Sequence, residues 1–149
     1  MNTKHQRGAQ AVEFALVLPF FLVLLLLIID FGFLVYNKAV ITNASREAAR
    51  VGTVLTSTPW TTSSVAAVAC NYAKSALITT SSGTHTATCG GSADPVIAVV
   101  NPNGNVPPRF GDPVRVTVNY TYRGFLTSFM GTTIESPWSL TATSTMNHE

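Results

Sequence analysis

Apolar residues are concentrated near the start of the chain. A short basic head leads to one carboxylate, Glu13, and then to sixteen apolar residues, Phe14 to Ile29. A helix from Phe14 to Tyr36 would rise roughly 34 Å, enough to cross a ~30 Å hydrocarbon core. The pattern predicts a transmembrane helix over Phe14 to Tyr36, and Pro19 is tolerated inside it because membrane helices accommodate proline.

The helical pattern continues beyond the apolar run. One apolar stripe with spacings of three and four residues is formed by Val40, Ala44, Ala48, Val51 and Leu55. We expect one helix from about Ala9 to Val54, roughly 69 Å long. Its lower half lies in lipid or in a filament core, and its upper half packs against a globular body.

The remainder predicts a second helix and a small sheet. Thr56 to Ser64 breaks the first helix, and Ser63 or Ser64 is the expected N-cap of a helix from Val65 to Ile78. Strands are predicted at Val96–Asn101, Val114–Tyr122 and Trp138–Met146. The apolar segment from Gly124 to Pro137 is expected in the core. The fold class is α+β: a long N-terminal transmembrane helix continuing into a small periplasmic domain with a second helix and an antiparallel sheet of about three strands.

Two carboxylates lie close to the apolar run. Asp30 would sit near the far membrane interface, so we expect a boundary residue reaching water rather than a buried functional group. Glu13 is different, because a charge that abuts lipid is costly and usually has a function. It also separates the basic head from the apolar run, and the run exceeds the 7–15 residues of a signal peptide, so we expect a retained anchor.

The two cysteines, Cys70 and Cys89, form no CxxC motif and have no His/Cys cluster around them, which argues against a metal site. In a chain with a membrane or export signal an even pair favours a disulfide, although two unrelated thiols remain the alternative. A ring of about 20 residues would stabilise the fold by about 3 kcal/mol. Because Lys and Arg are nearly balanced across the anchor, the disulfide decides the orientation: the head is cytoplasmic and the body lies outside.

The composition argues against several functions. A net charge of +2 is too small to indicate a nucleic-acid partner. No phosphate loop or nucleophile motif occurs, and the histidines and the carboxylates Asp94, Asp112 and Glu135 are scattered. We expect no enzyme, no cofactor and no small-molecule substrate.

The head resembles the processing site of type IV prepilins and pseudopilins, since Gly8 is followed by four residues and then by Glu13-Phe14 before an apolar helix. The resemblance implies that a prepilin peptidase cuts between Gly8 and Ala9. Glu13 then becomes the fifth residue of the mature chain. The new α-amine of Ala9, in the same or a neighbouring subunit, would neutralise its carboxylate.

A second resemblance, over roughly the first third of the chain, is to the TadE-like family, minor pilin-like components of the tight-adherence (Tad, or Flp) pilus system. It rests on Arg7-Gly8-Ala9, Val12 to Pro19, Asp30-Phe31-Gly32 and Thr42 to Arg50. Asp30 stands where an acidic residue, often Glu, is usual, and Ala48 where Gly is common. The resemblance implies pilus assembly, with other Tad pilin-like subunits and assembly proteins as partners.

The leading hypothesis is therefore a pseudopilin in the bacterial inner (cytoplasmic) membrane, single-pass, with its C-terminal domain periplasmic. Its parts would be a cleaved leader (1–8), the TadE-like helix (9–55) and an α+β domain (56–149). The alternative is an uncleaved single-pass membrane protein whose outer domain binds another envelope component, and an anchored hydrolase is a distant third.

Overall fold

The first helix organises the molecule. In the computed structural model, which describes residues 3–54, 60–78, 95–122, 124 and 138–148, helix α1 spans Thr3–Thr53. Its 51 residues make it roughly 77 Å long at 1.5 Å per residue. The helix is continuous through Pro19. The predicted long helix is confirmed, although it begins six residues earlier than expected.

Helix α2 spans Thr62–Ala76 and begins with a capping box. The Thr61 hydroxyl accepts a hydrogen bond from the Ser64 amide at 3.1 Å, and the Ser64 hydroxyl accepts one from the Thr61 amide at 3.4 Å. These reciprocal bonds satisfy two amides that the helix leaves without partners. The prediction of Ser63 or Ser64 as N-cap is wrong, because Ser64 occupies the third helical position and completes a box that Thr61 opens.

Three antiparallel strands form one sheet in the order β1-β2-β3. They span Val96–Val100 (β1), Pro113–Tyr122 (β2) and Trp138–Asn147 (β3). In β2 every second residue from Val114 to Tyr122 is buried, as the alternating pattern predicts. The expected α+β architecture, with a long helix, a second helix and a three-stranded antiparallel sheet, is confirmed.

The core lies between one face of the sheet and the two helices. β2 contributes its buried alternate residues, and α1 contributes small side chains at Ala44, Ala48 and Ala49 that allow close packing. The predicted stripe is confirmed from Val40 to Val51, while Leu55 lies outside the described residues. On α2 the buried residues are Val65, Ala69, Cys70 and Ala73, and Tyr72 is exposed.

The two ends of the head contact different parts of α1. A Cβ built on Gly52 would lie 3.0 Å from Val114 Cγ1, so the start of β2 packs against the upper end of α1. At the other end of the strand the Tyr122 hydroxyl reaches Asp30. Because Asp30 and Gly52 are 22 residues apart, the head extends roughly 33 Å along the helix. The side of the head near Asp30 is called the lower end below, and the side near Gly52 the upper end.

The lower part of α1 is apolar and uncovered. The large apolar side chains from Val12 to Ile29 are exposed apart from Leu26, which is partly buried. This part of the chain passes the length and composition criteria for a membrane-spanning helix, and none of its most apolar window is buried by the rest of the protein. From Asp30 upward the helix contacts the head, and Phe33 and Leu34 pack against the core.

Candidate functional site

Gly8 and Ala9, the predicted processing site, lie within α1. A Cβ built on Gly8 would meet no atom within 4 Å outside the local helix. The backbone at this position is therefore not shielded by the head of the protein. A peptidase that acts on an extended segment would have to unwind about one turn of this helix before it reaches the bond between Gly8 and Ala9.

Glu13 projects from a helix surface that is otherwise apolar. Its neighbours Val12 and Phe14 are each 67% exposed, and Glu13 itself is exposed. Within the described part of the chain no hydrogen bond or ion pair to the Glu13 carboxylate is formed. A counter-charge for this carboxylate therefore has to come from outside the described side chains.

Asp30, at the upper end of the apolar run, contacts the head rather than only water. The Tyr122 hydroxyl donates a hydrogen bond to Asp30 Oδ1 at 2.5 Å, and Tyr122 is 1% exposed. The interpretation of Asp30 as a boundary residue that reaches water therefore missed its main contact. Asp30 is half-buried and joins α1 to the end of β2.

Gly124 makes this contact possible. It is buried, and a Cβ built on it would overlap the Asp30 carboxylate. The missing side chain lets the chain just beyond β2 approach the carboxylate directly. Asp30, Tyr122 and Gly124 together are called the neck contact below.

A second polar residue on α1 fixes the end of α2. Asn37 is fully buried, and its side-chain amide donates to the Ile78 carbonyl at 2.7 Å. The Ile78 amide donates back to Asn37 Oδ1 at 2.9 Å. The exposed Lys38 ammonium reaches the Thr141 carbonyl of β3. Short polar contacts from one stretch of α1 therefore hold α2, β2 and β3 at the lower end of the head.

The seven-residue spacing of Asp30 and Asn37 is a sequence signal for these contacts, although no such contact was predicted. Asp30 and Asn37 are seven residues apart, which is two helical turns, and the buried Ala44 follows after seven more. They therefore continue the stripe that begins at Val40 toward the membrane. Two polar residues on an otherwise apolar stripe indicate hydrogen-bonded contacts with a packed partner, since buried polar groups need partners.

A network of amides surrounds Asp112 at the upper end of the head. Its carboxylate accepts side-chain hydrogen bonds from Asn103 and Asn105, each at 2.7 Å. The Arg109 backbone amide donates at 2.8 Å and Asn101 at 3.3 Å. These four donors stabilise the ionised form and hold the pKa of Asp112 well below its usual range. Asp112 was expected to be isolated from other carboxylates, and its role here is to fix the loop between β1 and β2.

The same loop is joined to the end of β3 by a bulge. Gly111, at a φ of 83°, donates its amide to the His148 carbonyl at 2.8 Å, and the His148 amide donates to the Asp112 carbonyl at 2.8 Å. Gly111 and Asp112, just before β2, thus face the single residue His148 just after β3, as in a bulge that needs glycine at the left-handed position. His148, which lies next to the end of the chain, is buried.

The remaining titratable and sulfur-containing groups form no larger network within the described residues. Glu47 and Arg50 form a solvated ion pair on α1, 2.7 Å apart. Each partner favours the charged form of the other, which lowers the pKa of Glu47 and raises that of Arg50. Cys70 is buried in α2, but Cys89 lies outside the described residues, so the disulfide stays a prediction. Within the described ranges no three His, Cys, Asp or Glu side chains are grouped to hold a metal ion.

Comparison with known proteins finds a similarity over most of α1. A family model described as TadE-like protein matches residues 8–50. No curated protein and no solved structure matches the chain. The match begins at Gly8, includes Glu13 and Asp30, and ends three residues before α1 does. The match therefore runs from the predicted processing site to the part of α1 that carries the head, and it agrees with the resemblance to the TadE-like family seen in the sequence.

Proposed function

We propose that the protein is a TadE-like minor pilin, a pseudopilin that takes part in Tad-type pilus assembly or secretion. The observation that carries the proposal is that the TadE-like match falls on the exposed apolar helix and on the residues that join it to the head. The TadE-like family suggests a pilin-like protein associated with the Tad pilus. A subunit of this kind works by packing rather than by catalysis, which fits a long uncovered apolar helix.

Processing after Gly8 by a prepilin peptidase is the first step of this function. The exposed position of Glu13 supports it, because the carboxylate is placed among side chains suited to lipid and has no partner within the described part of the chain. An ionised group in hydrocarbon costs at least about 2.5–3.5 kcal/mol. The α-amine that cleavage frees on Ala9 would supply an opposite charge for Glu13, in the same or a neighbouring subunit.

The proposed location is the bacterial inner membrane, with a single pass, a cytoplasmic N-terminus and a periplasmic head. The length of the exposed apolar segment supports the single pass, since Val12 to Ile29 rises about 27 Å and nearly matches a ~30 Å hydrocarbon core. In this arrangement the partners are the prepilin peptidase in the membrane and other pilin-like subunits and assembly proteins beside it.

The second candidate function is an uncleaved anchor whose outer domain binds another envelope component. The observation that favours it is the continuity of α1, which runs through Gly8 and Ala9 from Thr3. In that case the leader would simply be the cytoplasmic end of a single-pass helix, and Glu13 would face the headgroups.

Intact mass separates the two candidates. The full chain, extracted from membranes of cells that contain the peptidase, is expected to lack residues 1–8, and the same chain from peptidase-deficient cells is expected to retain them. Gly8→Leu should block the cut because a bulky side chain hinders close approach to the backbone. Gly32→Ala is the matched control, since a Cβ there meets no atom within 4 Å. A wild-type chain that still begins at Met1 in peptidase-containing cells contradicts the pseudopilin proposal.

A further inference from the structure

The lower end of the head lies where the apolar anchor ends. The uninterrupted apolar run ends at Ile29, and the Tyr122 hydroxyl donates a hydrogen bond to Asp30 Oδ1 at 2.5 Å. The chain at Gly124 touches the Asp30 carboxylate. The neck contact therefore sets the level of the head relative to the anchor: with the apolar run in a bilayer, the lower end of the head faces the headgroups.

Trp138 lies at this end of the sheet and is uncovered. It is the first residue of β3, directly opposite Tyr122 in the register, and it is 62% exposed. Alternate residues share one face of a strand, so Trp138 lies on the same face as Leu140 and Ala142, which are buried against α1. Trp138 is thus on the helix side of the sheet but beyond the end of the core.

The depth of Trp138 follows from strand geometry. Gly124 is two positions beyond Tyr122, so Tyr122 and its strand partner Trp138 stand no more than about 7 Å above the level of Gly124. The polar layer of a bilayer leaflet is about 5–7 Å thick. When Asp30 lies at the hydrocarbon boundary, the indole ring of Trp138 therefore lies at the height of the headgroup layer.

We propose that Trp138 inserts into the lipid headgroup layer of the membrane that holds α1, as a second contact between the head and the bilayer. The surface is continuous with the anchor through the neck contact, which identifies lipid rather than a separate partner as its occupant. Tryptophan suits this layer because its ring is apolar and its N–H remains able to hydrogen-bond. The head would then rest on the membrane in one orientation instead of swinging above it.

The chain provides its own control for this inference. Its other tryptophan, Trp60, donates its indole N–H to the Gly52 carbonyl at 2.9 Å, at the upper end of the head. That position is roughly 33 Å along α1 from Asp30. The two indoles therefore report on opposite ends of the same domain. Trp60→Phe leaves only Trp138 fluorescent, and Trp138→Phe leaves only Trp60.

The test uses the full chain in lipid nanodiscs loaded with one copy each. Lipids brominated near the top of the acyl chains should reduce the emission of Trp60→Phe on the order of twofold, since its indole lies at the interface. The same lipids should leave Trp138→Phe unchanged. In the same discs aqueous iodide should quench the emission of Trp60→Phe only weakly, because the headgroup layer shields its indole. Equal thermal unfolding of both variants and wild type establishes that the head is folded.

Two results would overturn the inference. One is emission from Trp60→Phe that iodide quenches freely in discs and brominated lipid leaves unchanged, which would place the indole in water. The other is shielding that develops only in discs loaded with several copies, which would assign Trp138 to an interface between subunits. Because single-copy discs contain no pilus components, neither result depends on whether the protein is a pseudopilin.

Discussion

Asp112 shows at the residue scale how one carboxylate stabilises a loop. Its donors, led by the side chains of Asn103 and Asn105 and the Arg109 amide, lower its pKa in the folded state. In the unfolded chain an aspartate titrates near pH 3.9. A depressed folded pKa means that the stabilisation is fully present above about pH 4 and is lost as the pH falls toward the folded value.

Asp112→Asn is therefore expected to lower the urea midpoint of the head at pH 7, since the amide accepts fewer hydrogen bonds and presents N–H groups to donors. The difference from wild type should shrink below about pH 4, because the unfolded wild-type chain takes up a proton at Asp112 there, whereas the folded protein does so only at a lower pH. Urea unfolding of the full chain in nanodiscs, from pH 7 to pH 2.5, measures both trends.

Glu47→Gln is the matched control, because it also changes a carboxylate to an amide but affects a solvated pair with Arg50. Exposed pairs of this kind contribute little to stability. A pH-independent gap between Asp112→Asn and wild type, or an equal loss in Glu47→Gln, would show that the loop network does not act through the charge of Asp112.

At the scale of elements, the neck contact joins α1 to the end of β2, and Gly124 is its tightest point. Gly124→Ala is expected to destabilise the head by about 1–3 kcal/mol, the usual cost of overpacking, because the new Cβ overlaps the Asp30 carboxylate. Gly32→Ala, two residues from Asp30 on the open side of α1, should cost nothing, since a Cβ there has free space and alanine favours helix.

A double mutant tests the cause of this cost. If Gly124→Ala acts through the carboxylate, it should cost less in a chain that already carries Asp30→Ala. The double mutant should then lose less unfolding free energy than the sum of the two single losses. Chemical unfolding of the four chains in nanodiscs gives the coupling. Strict additivity would mean that Gly124 is required for some other reason than its approach to Asp30.

The helices and strands were predictable because their signals are local. The apolar run, the three-and-four stripe from Val40 and the alternation in β2 each follow from a periodicity that one element carries by itself. The neck contact was not predictable in the same way. It joins Asp30 to Tyr122 and Gly124, which follow it by 92 and 94 positions. The sequence around Tyr122 and Gly124 does not indicate this partner.

In the candidate site, too, residues in a local motif were predictable from the sequence, and residues that act through non-local partners were not. Gly8 and Glu13 were singled out because they form a local motif before an apolar run, and the TadE-like match covers both. The role of Asp112 was missed because its partners Asn101, Asn103 and Asn105 look like an ordinary turn until the loop closes around the carboxylate. Polar residues that stabilise a fold through side-chain networks are recognised only when their partners are known.

At the scale of the whole molecule, two rigid parts share one helix. The upper half of α1 is built into the core of the head, while the lower half offers an uncovered apolar surface that ends at Glu13. The neck contact and the Asn37–Ile78 bonds make the junction stiff. Any lateral pairing of anchors in the membrane is therefore expected to fix how neighbouring heads face each other.

The role proposed for Glu13 depends on its charge, and the variant Glu13→Ala should separate processing from assembly. The variant should be cut after Gly8 as efficiently as wild type, because the peptidase acts on the backbone five residues away. It should fail to restore pilus assembly in a strain that lacks the protein, since no carboxylate remains to pair with the freed α-amine of a subunit. Glu47→Ala, which removes an exposed carboxylate from the upper half of the same helix, should assemble normally. Intact mass and a pilus count on the same cells measure the two steps, and full assembly by the Glu13→Ala chain would refute the counter-charge role proposed for Glu13.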